Sequence, residues 1–262
     1  MITVTTLRKM KEKGEKIAML TCYDASFSKV MNNVGVDVLL IGDSLGMTIQ
    51  GHNSTLPVTM EHMIYHTQNV ANGNQKALLV ADLPFGAYES SVEIAFQNAV
   101  KLMKAGAHVV KIEGGLDQVE KTAYFSKRSI PVCAHLVLTP QSVNTLGGYR
   151  VQGRQQDVAN EMIESAKAHE SAGAVMIVLE CIPKDLAKII SEQLSIPVIG
   201  IGAGVDCDGQ VLVLQDMLGI YPDPPCFSHN FLQDQSSIES AIKAYVDAVK
   251  SSLFPTDQHS FN

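Results

Sequence analysis

Short apolar or β-branched runs recur along the chain, and a longer segment of helical period follows most of them. The runs are Ile17–Thr21, Val38–Ile41, Leu78–Ala81, Val109–Ile112, Val132–Leu136, Val175–Leu179, Val198–Ile201 and Val211–Leu214. None alternates strictly between apolar and polar positions, as expected of parallel strands covered on both faces. Between the third and fourth runs, Val92, Ala95, Phe96, Ala99, Val100 and Met103 fall at three- and four-residue spacing. Near the C-terminus Ile238, Ala241, Ile242, Tyr245, Val246, Val249 and Leu253 repeat that stripe. Both patterns predict helices with one buried face. Gly35, Gly106 and Gly173 stand where helical segments give way to apolar runs, the position of a left-handed closing residue.

Eight such units in 262 residues match the roughly 250 of a (β/α)8 TIM barrel. A doubly wound open sheet alternates in the same way, but the strand number at this length favours the closed α/β barrel. The expectation is therefore one barrel domain over 1–262. Two irregularities are expected. A basic N-terminal segment (Arg8, Lys9, Lys11, Lys13, Lys16, with Glu12 and Glu15) predicts an extra surface helix. Only nine residues separate Ile201 from Val211, too few for a covering helix in the seventh unit.

Composition narrows the function classes. The net charge is −7 with both signs scattered, so no basic face is available for nucleic acid. The longest uncharged run, Ser129 to Tyr149, carries Pro131, Pro140 and a glycine pair, which excludes it as a transmembrane helix. No apolar stretch suited to a signal peptide follows the basic N-terminus. The five cysteines have no C-x-x-C spacing, which suggests neither zinc nor a disulfide framework and fits a reducing, cytoplasmic setting.

Polar residues gather at the C-terminal ends of the predicted strands. They are Asp43 and Ser44 after the second, Asp82 after the third, Lys111 and Glu113 closing the fourth, His135 in the fifth and Glu180 after the sixth. In a β/α barrel these positions ring the mouth that carries the active site. Lys111 and Glu113 lie two residues apart on a strand and so point to one side. Buried there, such charges need partners. Asp43, Asp82 and Glu113 are hard oxygen donors, suited to Mg²⁺ or Mn²⁺ and not to Zn²⁺. Any one carboxylate after a strand could simply cap the next helix; the same feature at several strand ends argues for a site.

Weaker signals are His62 and His66, four apart with Glu61 alongside, which read as a solvated helix face. Gly200-Ile201-Gly202-Ala203-Gly204 after the seventh strand reads as a tight turn at the mouth. Gly147, Gly148 and Gly153 bracket a long polar loop that could serve as a lid.

Taken in order, several stretches resemble the ketopantoate hydroxymethyltransferase family from about Thr3 to about His259. They are Met19-Leu20-Thr21-Cys22-Tyr23-Asp24, Gly42-Asp43-Ser44-Leu45-Gly46-Met47, Gln50-Gly51-His52 with Leu56-Pro57-Val58-Thr59, and Ala81-Asp82-Leu83-Pro84-Phe85. Further on come Val110-Lys111-Ile112-Glu113-Gly114-Gly115, Leu138-Thr139-Pro140-Gln141-Ser142-Val143-Asn144, Gly147-Gly148-Tyr149 to Arg154, Leu179-Glu180-Cys181-Ile182-Pro183 and Ile199-Gly200-Ile201-Gly202-Ala203-Gly204. The resemblance implies a Mg²⁺-dependent homo-oligomeric enzyme of pantothenate biosynthesis. Its reaction would transfer a one-carbon unit from 5,10-methylenetetrahydrofolate to 3-methyl-2-oxobutanoate. It implies Asp43, Asp82 and Glu113 as metal ligands, Asp43, Ser44, Asp82 and Lys111 as the 2-oxo acid site, and Glu180 as the base. His135 is a candidate for a supporting role. Ala134 and Val137 stand where that pattern leads one to expect glycine, and predict a narrowed mouth. Two alternatives stay open: another Mg²⁺-enolate barrel enzyme of the phosphoenolpyruvate mutase and isocitrate lyase kind, and a non-catalytic 2-oxo-acid-binding protein.

Overall fold

The computed structural model describes residues 1–137, 141, 153 and 155–262. Eight parallel strands close into a barrel in sequence order. They are β1 (Ile17–Thr21), β2 (Val38–Ile41), β3 (Leu78–Asp82), β4 (Val109–Glu113), β5 (Val132–Val137), β6 (Met176–Glu180), β7 (Val198–Ile201) and β8 (Gly209–Leu212). Around them run α1 (Val4–Glu12), α2 (Ala25–Val34), α3 (Leu45–Thr48), α4 (Met60–Gly73), α5 (Val92–Ala105), α6 (Val119–Ser126), α7 (Gln156–Ser171), α8 (Lys184–Gln193), α9 (Leu214–Met217) and α10 (Ile238–Lys250). No helix among the described residues is long and apolar enough to cross a membrane.

Gly35 (φ 94°), Gly106 (φ 114°) and Gly173 (φ 99°) take the left-handed conformation that their sequence positions predict. The stretch between β7 and β8 carries no helix, as its length requires. The eighth strand differs from expectation. It begins at Gly209, not Val211, and ends at Leu212. Gly209 pairs with Ile17 so closely that an added Cβ would stand 2.4 Å from the Ile17 carbonyl. An apolar run cannot reveal a strand that starts with glycine and glutamine. Leu214, expected within the strand, instead starts α9 and donates its N–H to Thr21 Oγ1 at 2.9 Å. Strands β3, β4 and β5 each run one residue past their apolar stretch, and β6 lies one residue later than expected. The backbone ladder continues through Asp82, Glu113 and Glu180, so these side chains sit on strands and not beyond them.

Two layers of core follow from strand alternation. Ile17, Met19, Val38, Leu40, Leu78, Val80, Val109, Cys133, Met176, Val178, Ile199 and Val211 fill the interior. Leu7 and Met10 of α1 join this cluster and plug the N-terminal end of the barrel. The predicted extra helix is thus more than a surface feature: burying Leu7 alone stabilises by about 1.5–3 kcal/mol. The alternate residues, among them Ala18, Leu20, Leu39, Ile41, Leu79, Val110 and Ile112, pack outward under the helices. Ala134 belongs to this outer layer, with Leu136, Ile177, Ala159, Met162 and Ala166. It does not narrow the mouth; its neighbours Cys133 and His135 point inward. The Val137 side chain, residues 138–140 and 142–152 and Arg154 lie outside the described residues, and with them the Gly147 and Gly148 lid reading.

Candidate active site

Interior positions follow a two-residue period, so polar residues at strand ends complete the inward series Val80–Asp82, Val109–Lys111–Glu113, Cys133–His135 and Val178–Glu180. The register sets Asp82 beside Lys111 and Glu113 beside His135. The result is a buried cluster stepping round one side of the mouth. Lys111 Nζ lies 3.1 Å from Asp82 Oδ1, 3.2 Å from Glu113 Oε1 and 3.2 Å from His135 Nδ1. His135 reaches Glu113 Oε1 through Nδ1 at 3.0 Å and Glu180 Oε2 from Nε2 at 3.1 Å.

Asp43 enters from the loop after β2. Its backbone N–H donates to Asp82 Oδ2 at 3.0 Å. Gly42 is what lets this loop fold over: a Cβ there would meet Ser44 Oγ at 2.7 Å. Ser44 Oγ lies 2.9 Å from Tyr23 Oη. Neither Asp43 nor Asp82 caps a helix, and Ser44, at the start of α3, makes no capping bond. The structure therefore brings together Asp43, Ser44, Asp82, Lys111, Glu113, His135 and Glu180, which line one cavity of about 700 Å³.

Charge in this cluster is out of balance. Four carboxylates face one lysine and one histidine. Burial raises Asp43, and the charges of Glu113 and Asp82 push it well above the usual carboxylate range. Burial likewise raises Asp82, although Lys111 opposes it. Burial would also raise Glu113, but Lys111 and then His135 outweigh it and bring this group down to about 2. Lys111 is pressed down by burial, yet Asp82, Glu113 and Asp43 hold it well above the usual lysine value. His135 is pressed down by burial and Lys111, but Glu113 and Glu180 win and raise it to about 9. An imidazolium there donates through Nδ1 to Glu113, while its Nε2 stands in ion-pair reach of Glu180 without a hydrogen bond. Asp82 Oδ1 is buried and, though in ion-pair reach of Lys111, has no hydrogen bond.

Whether a divalent cation fits can be judged from these donors. Among the described residues no three His, Cys, Asp or Glu side chains form a ready metal cage. Mg²⁺ does not need one; it keeps several waters and takes one or two carboxylates plus substrate oxygens. The raised Asp43 and the Asp82 oxygen without a hydrogen bond fit that description, and a cation beside them would relieve both. Glu113 is engaged by Lys111, His135 and the Gln141 N–H, so its oxygens are less open to an ion than those of the two aspartates.

Gln141 and Tyr88 were not singled out by the charge pattern. Gln141 Nε2 donates to Asp43 Oδ2 at 2.8 Å and to the Leu83 carbonyl at 3.0 Å. Tyr88 Oη donates to Gln141 Oε1 at 2.7 Å. Both are uncharged residues off the strands, and only the quoted Thr139-Pro140-Gln141 stretch could have marked one of them. The weaker signals prove structural. His62 closes the capping box of α4 with Thr59, and His66 Nδ1 lies 2.7 Å from the Tyr23 carbonyl. Gly202 (φ 61°) and Gly204 (φ 86°) form the tight turn. Gly153 (φ 84°) backs onto Leu186 and Met162. All five cysteines are free.

Fold and site together define a β/α-barrel enzyme with a charged, acid-rich pocket at the C-terminal mouth. The family model for ketopantoate hydroxymethyltransferase matches residues 1–257. The 3-methyl-2-oxobutanoate hydroxymethyltransferase of Thiobacillus denitrificans is 57% identical over 260 residues, covering 99% of each chain. That of Neisseria meningitidis serogroup A is 57% identical over 262 residues, covering 100% of this chain and 99% of its own. Among solved structures, phosphonopyruvate hydrolase in complex with oxalate and Mg²⁺ matches with a TM-score of 0.63 at 13% identity over 84% of each chain, a likeness of fold. The chain belongs to the ketopantoate hydroxymethyltransferase family, and it is an enzyme, a hydroxymethyltransferase. Neither the mutase reading nor the non-catalytic one survives this match.

Proposed function

We propose that the enzyme transfers a hydroxymethyl unit from 5,10-methylenetetrahydrofolate to C3 of 3-methyl-2-oxobutanoate, giving 2-dehydropantoate for pantothenate synthesis. The observation that carries this reading is the ring of buried and half-buried groups at the mouth. One cation (Lys111), one hydroxyl (Ser44), two under-satisfied aspartates (Asp43, Asp82) and one separate carboxylate (Glu180) suit a small anion with an acidic C–H. Asp43 and Asp82 would hold Mg²⁺ directly, with Glu113 behind them. When bound, that ion supplies Lewis-acid stabilisation of the negative charge developing on the 2-oxo oxygen.

The chain's own residues do the rest. Lys111 and Ser44 bind the substrate carboxylate, which fixes the orientation of C3. Glu180 removes the C3 proton as general base. His135 is a positioning residue: wedged between Glu113 and Glu180, it aims the Glu180 carboxylate. The C3 carbanion then forms a bond to the methylene carbon of the opened donor. Water supplies the hydroxyl oxygen, and tetrahydrofolate leaves. The barrel wall excludes bulk water from the carbanion on one side, since Leu40, Val178 and Ile201 line the cavity beside the charged groups.

The test separates proton removal from carbon transfer. In D₂O with 3-methyl-2-oxobutanoate and Mg²⁺ but no donor, the enzyme should exchange the C3 hydrogen, visible by NMR. Adding the donor should convert the exchanging substrate into 2-dehydropantoate. A protein that does neither overturns the reading.

A further inference from the structure

We infer that Asp216 anchors a subsite for the one-carbon donor, accepting the paired N–H groups of an aminopyrimidinone ring. The inference rests on the donor assignment proposed above and deepens it. Its starting point is the size of the cavity. At about 700 Å³ it falls in the roughly 300–1,000 Å³ range that houses drug-sized ligands. A five-carbon 2-oxo acid fills only a corner of that.

The remainder has a different chemistry from the charged end. Its walls include Val211, Val213, Tyr221, Pro224 and Phe227, suited to a flat heterocycle. Into this apolar end Asp216, a residue only 9% exposed, presents its carboxylate. The group makes no hydrogen bond or ion pair among the described residues, and Tyr221 is the titratable neighbour its charge reaches. Burial alone lifts its carboxyl to about 6, with no opposing donor. That differs from Asp43, whose carboxylate already accepts from Gln141.

Asp216 is also held firmly. Its short helix α9 is tied to β1 by the Leu214 N–H bond to Thr21, and Leu214 and Met217 flank it in the core. A rigidly held acceptor with two free oxygens matches two adjacent N–H donors in one plane. The pyrimidine ring of a reduced folate offers such a pair, N3–H and the 2-amino group. A hydrated cation is a poorer match: Asp223 also lines this end but is exposed, and the wall against Asp216 is largely apolar, which suits a flat ring better than a shell of water.

The experiment uses tetrahydrofolate, which lacks the transferable carbon, and an analogue with 2-methyl in place of 2-amino. Binding is measured by calorimetry. Asp216→Asn keeps the shape but turns one acceptor into a donor, so tetrahydrofolate should bind about 10- to 100-fold more weakly. The analogue should bind the wild type correspondingly weakly and should bind Asp216→Asn about as tetrahydrofolate does. C3 exchange without donor reports that the variant is folded and its charged end intact. Wild-type affinity for tetrahydrofolate in Asp216→Asn overturns the inference, and so does a wild type indifferent to the 2-amino group. A wild type that exchanges C3 hydrogen yet binds no tetrahydrofolate overturns the donor reading and the inference together. Loss of C3 exchange in the wild type counts against the 2-oxo acid reading alone, and the two affinities still decide on Asp216.

Discussion

The two ends of the barrel both shield charge, half-buried at one and buried at the other, and they do so in opposite ways. At the N-terminal end, Lys11 Nζ donates to the Ser191 and Ile196 carbonyls and to Asp208 Oδ2, at 2.8, 3.0 and 2.7 Å. Asp208 Oδ2 in turn accepts from Ser191 Oγ at 3.1 Å and the Val198 N–H at 2.8 Å. One cation meets one anion, and their hydrogen bonds are made. The C-terminal mouth instead gathers four carboxylates around Lys111 and His135, keeps Asp43 raised and leaves an Asp82 oxygen without a hydrogen bond. A satisfied polar network stiffens a fold. An unsatisfied one persists where something else completes it. The contrast teaches where stability ends and chemistry begins, within one barrel and one set of strands.

The largest expected effect tests the mouth. Glu180→Gln keeps the shape and loses the base, so C3 exchange should fall by about 10²–10⁴-fold while 3-methyl-2-oxobutanoate still binds. Exchange at the wild-type rate would deny Glu180 the role of base. Lys111→Ala should behave differently, raising the apparent KM for the 2-oxo acid more than it lowers kcat, because it removes contacts made in ground state and transition state alike. A purely kcat effect would deny its role in binding the carboxylate.

The next pair sets one end directly against the other. Asp43→Ala should abolish turnover, as should chelation of the wild type by EDTA with recovery on adding Mg²⁺ or Mn²⁺. Its melting temperature without metal should not fall, since one of four crowded carboxylates is gone. Asp208→Ala should do the reverse. It leaves Lys11 and the Val198 N–H short of a partner, at about 1–3 kcal/mol, or roughly 2–4 °C per kcal/mol in a chain of this size. C3 exchange should persist. If Asp43→Ala melts lower than Asp208→Ala, the division of labour between the two ends is wrong.

Much of this was legible in the chain, for a physical reason. Parallel strands buried on both faces leave uninterrupted apolar runs, and a polar residue that ends such a run must then lie at the barrel mouth. That logic located Asp82, Lys111, Glu113, His135 and Glu180 without coordinates. It failed where the signal was not hydrophobicity. Gly209 starts β8 because of a close backbone approach. Gln141 and Tyr88 serve the site from outside the strands as neutral residues. Asp216 stands alone on a four-residue helix, and nothing nearby in sequence marks it as facing the pocket. Face assignment also needs register: Ala134 is next to His135 in the chain, yet points to the other layer.

That last point yields the smallest expected effect. Read from the chain, Ala134 crowds the mouth, and Ala134→Gly should then widen the range of 2-oxo acids accepted. In the structure its methyl is fully buried against Leu136, Ile177 and the Ala159, Met162 and Ala166 face of α7. No part of it lines the cavity. Glycine in a strand interior costs about 0.5–1 kcal/mol in backbone entropy, and the lost methyl adds something near 0.8 kcal/mol. The variant should therefore melt a few degrees lower, by roughly 2–4 °C per kcal/mol. The ratio of rates for 3-methyl-2-oxobutanoate and a bulkier homologue should stay as in the wild type. A changed ratio with an unchanged melting temperature would mean that β5 turns its alternate face to the substrate. That would also move His135 out of the cluster, and the contrast between the two ends of the barrel would have to be redrawn.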